Sequence, residues 1–170
     1  MGITFLENLG IKFDGKDVVV PSDDPPDVIF QDGRFEIKEI LDPGRKRHLE
    51  YKTRLKKSLE VKDPVDLLES YTPHDLTPKD ILELIQKELP GLEKKYEPKM
   101  RARHDLLFYI NLRHHRLKID KMPDSYCLSR CGWRSVSALI GWGSLVYYAN
   151  GLAPTFLREK RGQLTMRKFS

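Results

Sequence analysis

The spacing of apolar positions changes several times along the chain, and each change marks an element. Within ITFLENLGIKF, positions 3, 5, 6, 9 and 11 are apolar, which predicts a short helix followed by the start of a strand. DVVV reads as a strand that ends in the acidic, proline-rich loop PSDDPP, because proline neither continues a helix nor donates to a central ladder. Residues 27–38 alternate on both sides of Asp32-Gly33, the favoured pair for a two-residue hairpin turn. Beyond the turn DPG, Tyr51, Leu55 and Leu59 form one helical stripe. In LTPKDILELIQKEL, Thr77 reads as N-cap, Pro78 as first helical residue and Asp80 as capping-box partner, with Pro90-Gly91 as the stop. DLLFYINL is a buried strand. The tail from Trp133 holds a strand, a second strand or helix, and a short helix. This order predicts an α/β (α+β) sandwich with the hairpin near the middle of its sheet.

A turn at Asp32-Gly33 sets the register of the hairpin. Phe30 then opposes Phe35, Val28 opposes Ile37 and Asp27 opposes Lys38. Because side chains alternate, Val28, Phe30, Phe35 and Ile37 form the core face, while Asp27, Ile29, Glu36 and Lys38 share the other. Two carboxylates at ~4 Å repel by ~4 kcal/mol at an effective dielectric of 20, so in a cleft a cation must offset them. Carboxylate oxygens and water suit Mg²⁺ or Mn²⁺. Spacing by itself is weak, since an acid two residues before a lysine occurs six times, at 14/16, 36/38, 50/52, 60/62, 93/95 and 97/99. Composition alone gives roughly two or three such pairs. Only the Glu36 pair lies on a predicted strand whose hairpin partner begins Pro26-Asp27.

Composition narrows the setting. At 170 residues and 39% hydrophobic, the chain is sized for one domain, and its longest apolar run is broken by Gly141, Gly143 and Asn150, so no span or leader is expected. Two cysteines fit a reducing, cytoplasmic setting. The net charge of +5 is unevenly spread: residues 1–98 hold 16 Lys/Arg against 21 Asp/Glu, net −5, and residues 99–170 hold 14 against 4, net +10. Such a split suits a metal site beside a basic surface for a polyanion.

PD at 26–27 followed by EIK at 36–38 resembles the signature of the PD-(D/E)xK nuclease superfamily, with its restriction-endonuclease-like fold. The chain also resembles a small bacterial family grouped with these nucleases. The resemblance is clearest over residues 1–60. It implies a mixed sheet flanked by helices and one nuclease-like domain over 1–170. It further implies Asp27, Glu36 and the Ile37 carbonyl as metal ligands, Lys38 as catalytic lysine and Glu7 as an additional acid near the metal. The helix after the motif carries Tyr51 but not the glutamine found there in a common relative of this fold.

That helix also supports a polyanion on its own composition: Arg45, Lys46, Arg47, Lys52, Arg54, Lys56 and Lys57 stand against Glu50. Cys127 and Cys131 with His114 and His115 match no common zinc spacing and read as structural. Trp133, Trp142, Tyr147 and Tyr148 read as core rather than base-stacking residues. No serine has the partnered histidine of a hydrolase triad. The functional expectation is a Mg²⁺- or Mn²⁺-dependent endonuclease acting on nucleic acid, DNA before RNA. Two alternatives are an inactive nucleic-acid-binding or regulatory module of the same fold, and a scaffold that dimerises through its C-terminal aromatic segment.

Overall fold

The computed structural model describes residues 1–61, 63 and 72–167. Its centre is the run of parallel strands β3 (Gly33–Leu41), β5 (Asp105–Asn111) and β7 (Ser135–Ile140). Strands β5 and β7 are buried along most of their length because helices cover both faces of the sheet. Leu106, Phe108 and Ile110 point to one face and Leu107 and Tyr109 to the other. Antiparallel strands extend the sheet both ways: β1 (Val18–Val19) and β2 (Val28–Phe30) beyond β3, and β8 (Gly143–Ala149) and β9 (Gln163–Met166) beyond β7. The order is β1-β2-β3-β5-β7-β8-β9, so the fold is a mixed α/β sheet. The hairpin β2-β3 stands second and third rather than in the middle. Strands β4 (His74–Leu76) and β6 (His115–Leu117) form a separate parallel pair. No helix among the described residues is long and apolar enough to cross a membrane.

Helices α1 (Gly2–Asn8) and α5 (Thr155–Arg158) cover one face, with Phe5, Leu6, Phe156 and Leu157 against Phe30 and Phe35. The short α4 (Pro98–Arg101) leads into β5. Helix α3 (Pro78–Lys95) covers the other face through Ile81, Leu82, Ile85, Leu89 and Leu92. Burying each such side chain is worth roughly 1.5–3 kcal/mol before entropy is counted. Its start is as expected: Thr77 and Asp80 form a reciprocal capping box, and Pro78 sits in the first turn. Its end is not. The helix runs through Pro90 to Lys95, because Pro90 lies on the exposed side while Leu89 and Leu92 on the inner side stay buried. Packing here outweighs the missing N–H.

Three further expectations change. The hairpin turn is Gln31-Asp32, with Gln31 at φ 52°, and Phe30 pairs with Gly33, Ile29 with Arg34 and Val28 with Phe35. Gly33 is needed for space rather than for a turn dihedral: a Cβ there would lie 2.8 Å from the Phe35 ring and 2.9 Å from the Phe30 carbonyl. The stripe on α2 (Arg47–Glu60) does not join the core, since Leu55 is 63% and Leu59 80% exposed; the Tyr51 side chain lies outside the described residues. Trp133 and Tyr147 are core as expected, but Trp142 is exposed at the tip of the β7-β8 turn. Strand β9 follows the short terminal helix and was not anticipated.

These assignments predict unequal costs in urea denaturation. Thr77→Ala removes a satisfied cap and is expected to lower stability by about 1 kcal/mol. Leu55→Ala and Leu59→Ala, on an uncovered stripe, are expected to change it by less than about 0.5 kcal/mol.

Candidate metal centre

Strand β3 carries Glu36 and Lys38 on the face that also receives α3. Strand β2 begins at Val28, opposite Phe35, so the edge of β3 beyond Phe35 lacks a strand partner on that side. Asp27 closes this edge: its N–H donates to the Phe35 carbonyl at 2.9 Å, and its Oδ2 accepts from the Ile37 N–H at 2.7 Å. The N–H and C=O of a strand residue point to the same edge, so the Ile37 carbonyl faces the Asp27 side.

Glu36 is buried at 1% exposure. One carboxylate oxygen, Oε1, accepts from both the Lys38 ammonium and the Tyr96 hydroxyl. Tyr96 sits just beyond α3, its ring edge-on to Trp133 at 5.6 Å and beneath the Lys38 and Lys95 ammonium groups at 5.3 and 4.8 Å. The other oxygen, Oε2, is buried without a hydrogen-bond partner among the described residues. A buried, unsatisfied oxygen of a charged group costs several kcal/mol, so it marks a place where a ligand fits.

Asp24, Asp27 and Glu36 each bring one oxygen to within 4.8 Å of the others. At that separation the repulsion is on the order of 3 kcal/mol per pair near a protein surface. With Lys38 counted, the group carries a formal charge of −2, the magnitude a divalent cation offsets. Three carboxylates offering oxygen donors, one of them with an unsatisfied oxygen, fit a hard cation of the Mg²⁺ or Mn²⁺ type.

Burial lowers the affinity of the Lys38 amine for its proton, but hydrogen bonds and charge from Glu36 and Tyr96 outweigh it, so the group titrates above its ordinary 10.5. Lys38 is therefore a cation at neutral pH. It donates its hydrogen bond to Glu36.

Asp27, Glu36, Ile37 and Lys38 are thus brought together. Glu7 stands apart from the three carboxylates, in an ion pair with Arg167 at 2.8 Å. Arg45 is only 14% exposed and fastens the start of α2, bonding Glu50, Asp42 and the Asn111 carbonyl. Lys46 and Lys52 are exposed, and Lys56 faces Glu60 at 3.8 Å. The side chains of Arg47, Arg54 and Lys57 lie outside the described residues. The cysteines remain free, Cys131 in the core.

Two participants were not anticipated. Asp24 had a visible signal in SDDPPD, where three acids flank a proline pair. Tyr96 had none, being 60 residues from Glu36 and beyond the expected end of its helix.

A family model described as "Putative endonuclease, protein of unknown function (DUF1780)" matches residues 2–169, and the chain belongs to that family. Among solved structures, a protein of unknown function from Pseudomonas aeruginosa strain PAO1, labelled monooxygenase superfamily, superposes with a TM-score of 0.71. It is 23% identical over 99% of this chain and 79% of its own, a likeness of fold. No curated protein matches the chain.

The Lys38 pair predicts a pH signature. Because folding raises the amine above 10.5, its contribution is fully present below that value and lost as pH rises through the folded value. Wild-type stability in urea is expected to fall more steeply on the alkaline side than that of Lys38→Met. Parallel alkaline limbs would show that the pair contributes nothing.

Proposed function

We propose that this member of a family described as endonucleases hydrolyses phosphodiester bonds in nucleic acid at the Asp24–Asp27–Glu36 cluster, as one nuclease-like domain of the PD-(D/E)xK kind. The observation that carries the reading is Glu36, buried with one unpartnered oxygen, Oε2, in a cluster with the exposed carboxylates of Asp24 and Asp27. A structural role for Glu36 would be complete with Lys38 and Tyr96 bonded to both oxygens; here both donors converge on one. The other is left for a cation. DNA is the preferred substrate, with RNA as the alternative.

In this account Asp24, Asp27, Glu36 and the Ile37 carbonyl hold Mg²⁺ or Mn²⁺, which when bound supplies Lewis-acid activation of water and offsets phosphate charge. Lys38 donates a hydrogen bond to the attacking oxygen and stabilises negative charge as it grows on the phosphoryl group. Tyr96 keeps the Glu36 carboxylate from rotating, and so acts as a positioning residue. Water adds to phosphorus and gives its proton to solvent, the bond to the leaving oxygen breaks, and that oxygen takes a proton from solvent. The superfamily label of the structural neighbour belongs to that protein and adds no chemistry here.

The test is cleavage of plasmid, linear duplex, single-stranded DNA and RNA in Mg²⁺ or Mn²⁺. Glu36→Gln and Lys38→Ala are each expected to lower the rate by roughly 10²-fold or more, and EDTA to abolish it. Cleavage at wild-type rate by both variants would overturn the assignment. Salt-dependent binding without metal-dependent cleavage would point to a binding module that kept the fold alone.

A further inference from the structure

The basic surplus of the C-terminal half has a second expression in the fold, apart from α2. The parallel strands β3, β5 and β7 all begin at one edge of the sheet, and there Arg34, Arg103, His104 and Arg134 line an open cleft of about 510 Å³. Pro25 forms part of its wall. Pro25 follows Asp24 directly and precedes Asp27 by two residues, so the cleft opens beside the carboxylate cluster. Arg34 and Glu36 are two residues apart on the same face of one strand, a separation of roughly 6.6 Å. That is about the spacing of neighbouring phosphates along a nucleic-acid strand.

The anchoring of this cleft separates fixed charge from available charge. Asp105, fully buried, accepts from Arg134, from the Ser135 hydroxyl at 2.9 Å and from the Arg34 N–H at 3.0 Å. Arg134 also donates to the Asp32 carbonyl at 2.9 Å. Its guanidinium is thus locked in place, with its charge matched by Asp105. Arg34 and Arg103 are exposed and make no ion pair among the described residues. His104 is 93% buried, its Nδ1 against the Met100 carbonyl at 2.8 Å, while Nε2 has no partner among the described residues. Two guanidinium groups without an ion pair among the described residues, on the wall of one cleft, suit a tetrahedral oxyanion, for which the planar fork of arginine is the favoured donor.

The charges of α2 are placed differently. Arg45 binds the Asn111 carbonyl, at the far end of β5, so the helix starts at the opposite edge of the sheet from the cleft.

We propose that the cleft of Arg34 and Arg103, framed by the Asp105–Arg134 pair, is a phosphate subsite that holds the substrate backbone next to the scissile bond. The proposal rests on the nuclease reading and assigns the grip on the backbone to the N-terminal edge of the parallel strands rather than to α2. Arg34 and Arg103 supply the charge that attracts the strand. Arg134 supplies a fixed wall.

The experiment is fluorescence anisotropy of labelled single-stranded and duplex DNA in EDTA, across a salt series, so that hydrolysis does not intervene. For the exposed pair Arg34→Ala/Arg103→Ala, the slope of log K against log salt is expected to shrink by about 1.5, two phosphate contacts' worth, with weaker binding. Lys46→Ala/Lys52→Ala, just before and on α2, is the control and is expected to leave the slope unchanged. Wild-type slope and affinity in the cleft variant would overturn the subsite, as would absence of binding by the wild-type protein. Charge reversal, Arg34→Glu/Arg103→Glu, must weaken binding further; if it does not, the cleft is not the grip. Metal-dependent cleavage that persists unchanged in the cleft variants refutes the subsite alone. Cleft-dependent binding with no cleavage in any metal refutes the nuclease reading and leaves the subsite standing.

Discussion

A carboxylate does not stay in a protein interior without compensation, and Glu36 is the group around which this structure is arranged. Transfer of an ion from water to the interior costs several kcal/mol even after relaxation. Lys38 and Tyr96 offset part of that, both on one oxygen. To bring Tyr96 there, α3 continues through a proline that would otherwise end it, carried by the buried Leu89 and Leu92. The other oxygen has no hydrogen-bond partner among the described residues, and the carboxyl group lies in one cluster with Asp24 and Asp27. The position of Glu36 on a strand paired in parallel to β5 holds these parts in one place.

The arrangement also gives the uneven charge of the chain a spatial meaning. Acids from the first half gather just before β2 and on β3, while arginines from the second half, Arg103 and Arg134, stand beside them at the starts of β5 and β7. Opposite charges lie side by side without neutralising one another, because the buried Asp105 takes up only Arg134. Like charges gathered within each patch raise local fields of opposite sign, negative at the carboxylates and positive along the cleft.

Much of this was legible in the sequence, for identifiable reasons. The hairpin was displaced by two residues from the expected register, yet Glu36 and Lys38 kept their common face and Phe35 its core face. A slip of one would have reversed both; a slip of two does not. The cap of α3 was legible because Thr77, Pro78 and Asp80 act locally. The unread features are those decided at a distance. Gly33 looked like a turn residue, but the Phe35 ring decides its place. Tyr96 reaches Glu36 across 60 residues. The apolar stripe of α2 looked like a core face because periodicity reports amphipathicity, not whether anything covers it. Trp142 misled in the same way, as aromatic residues near small ones suggest a core and here mark a turn tip.

The most direct test of the central claim is crystallographic. A crystal soaked in Mn²⁺ and measured for anomalous scattering is expected to show one peak within coordinating distance of Asp24, Asp27 and the Glu36 Oε2. The same soak of Glu36→Gln is expected to show a weakened peak or none. Ordered carboxylates with no peak in the wild-type protein would contradict the account, and would leave the burial of Glu36 as a purely structural feature.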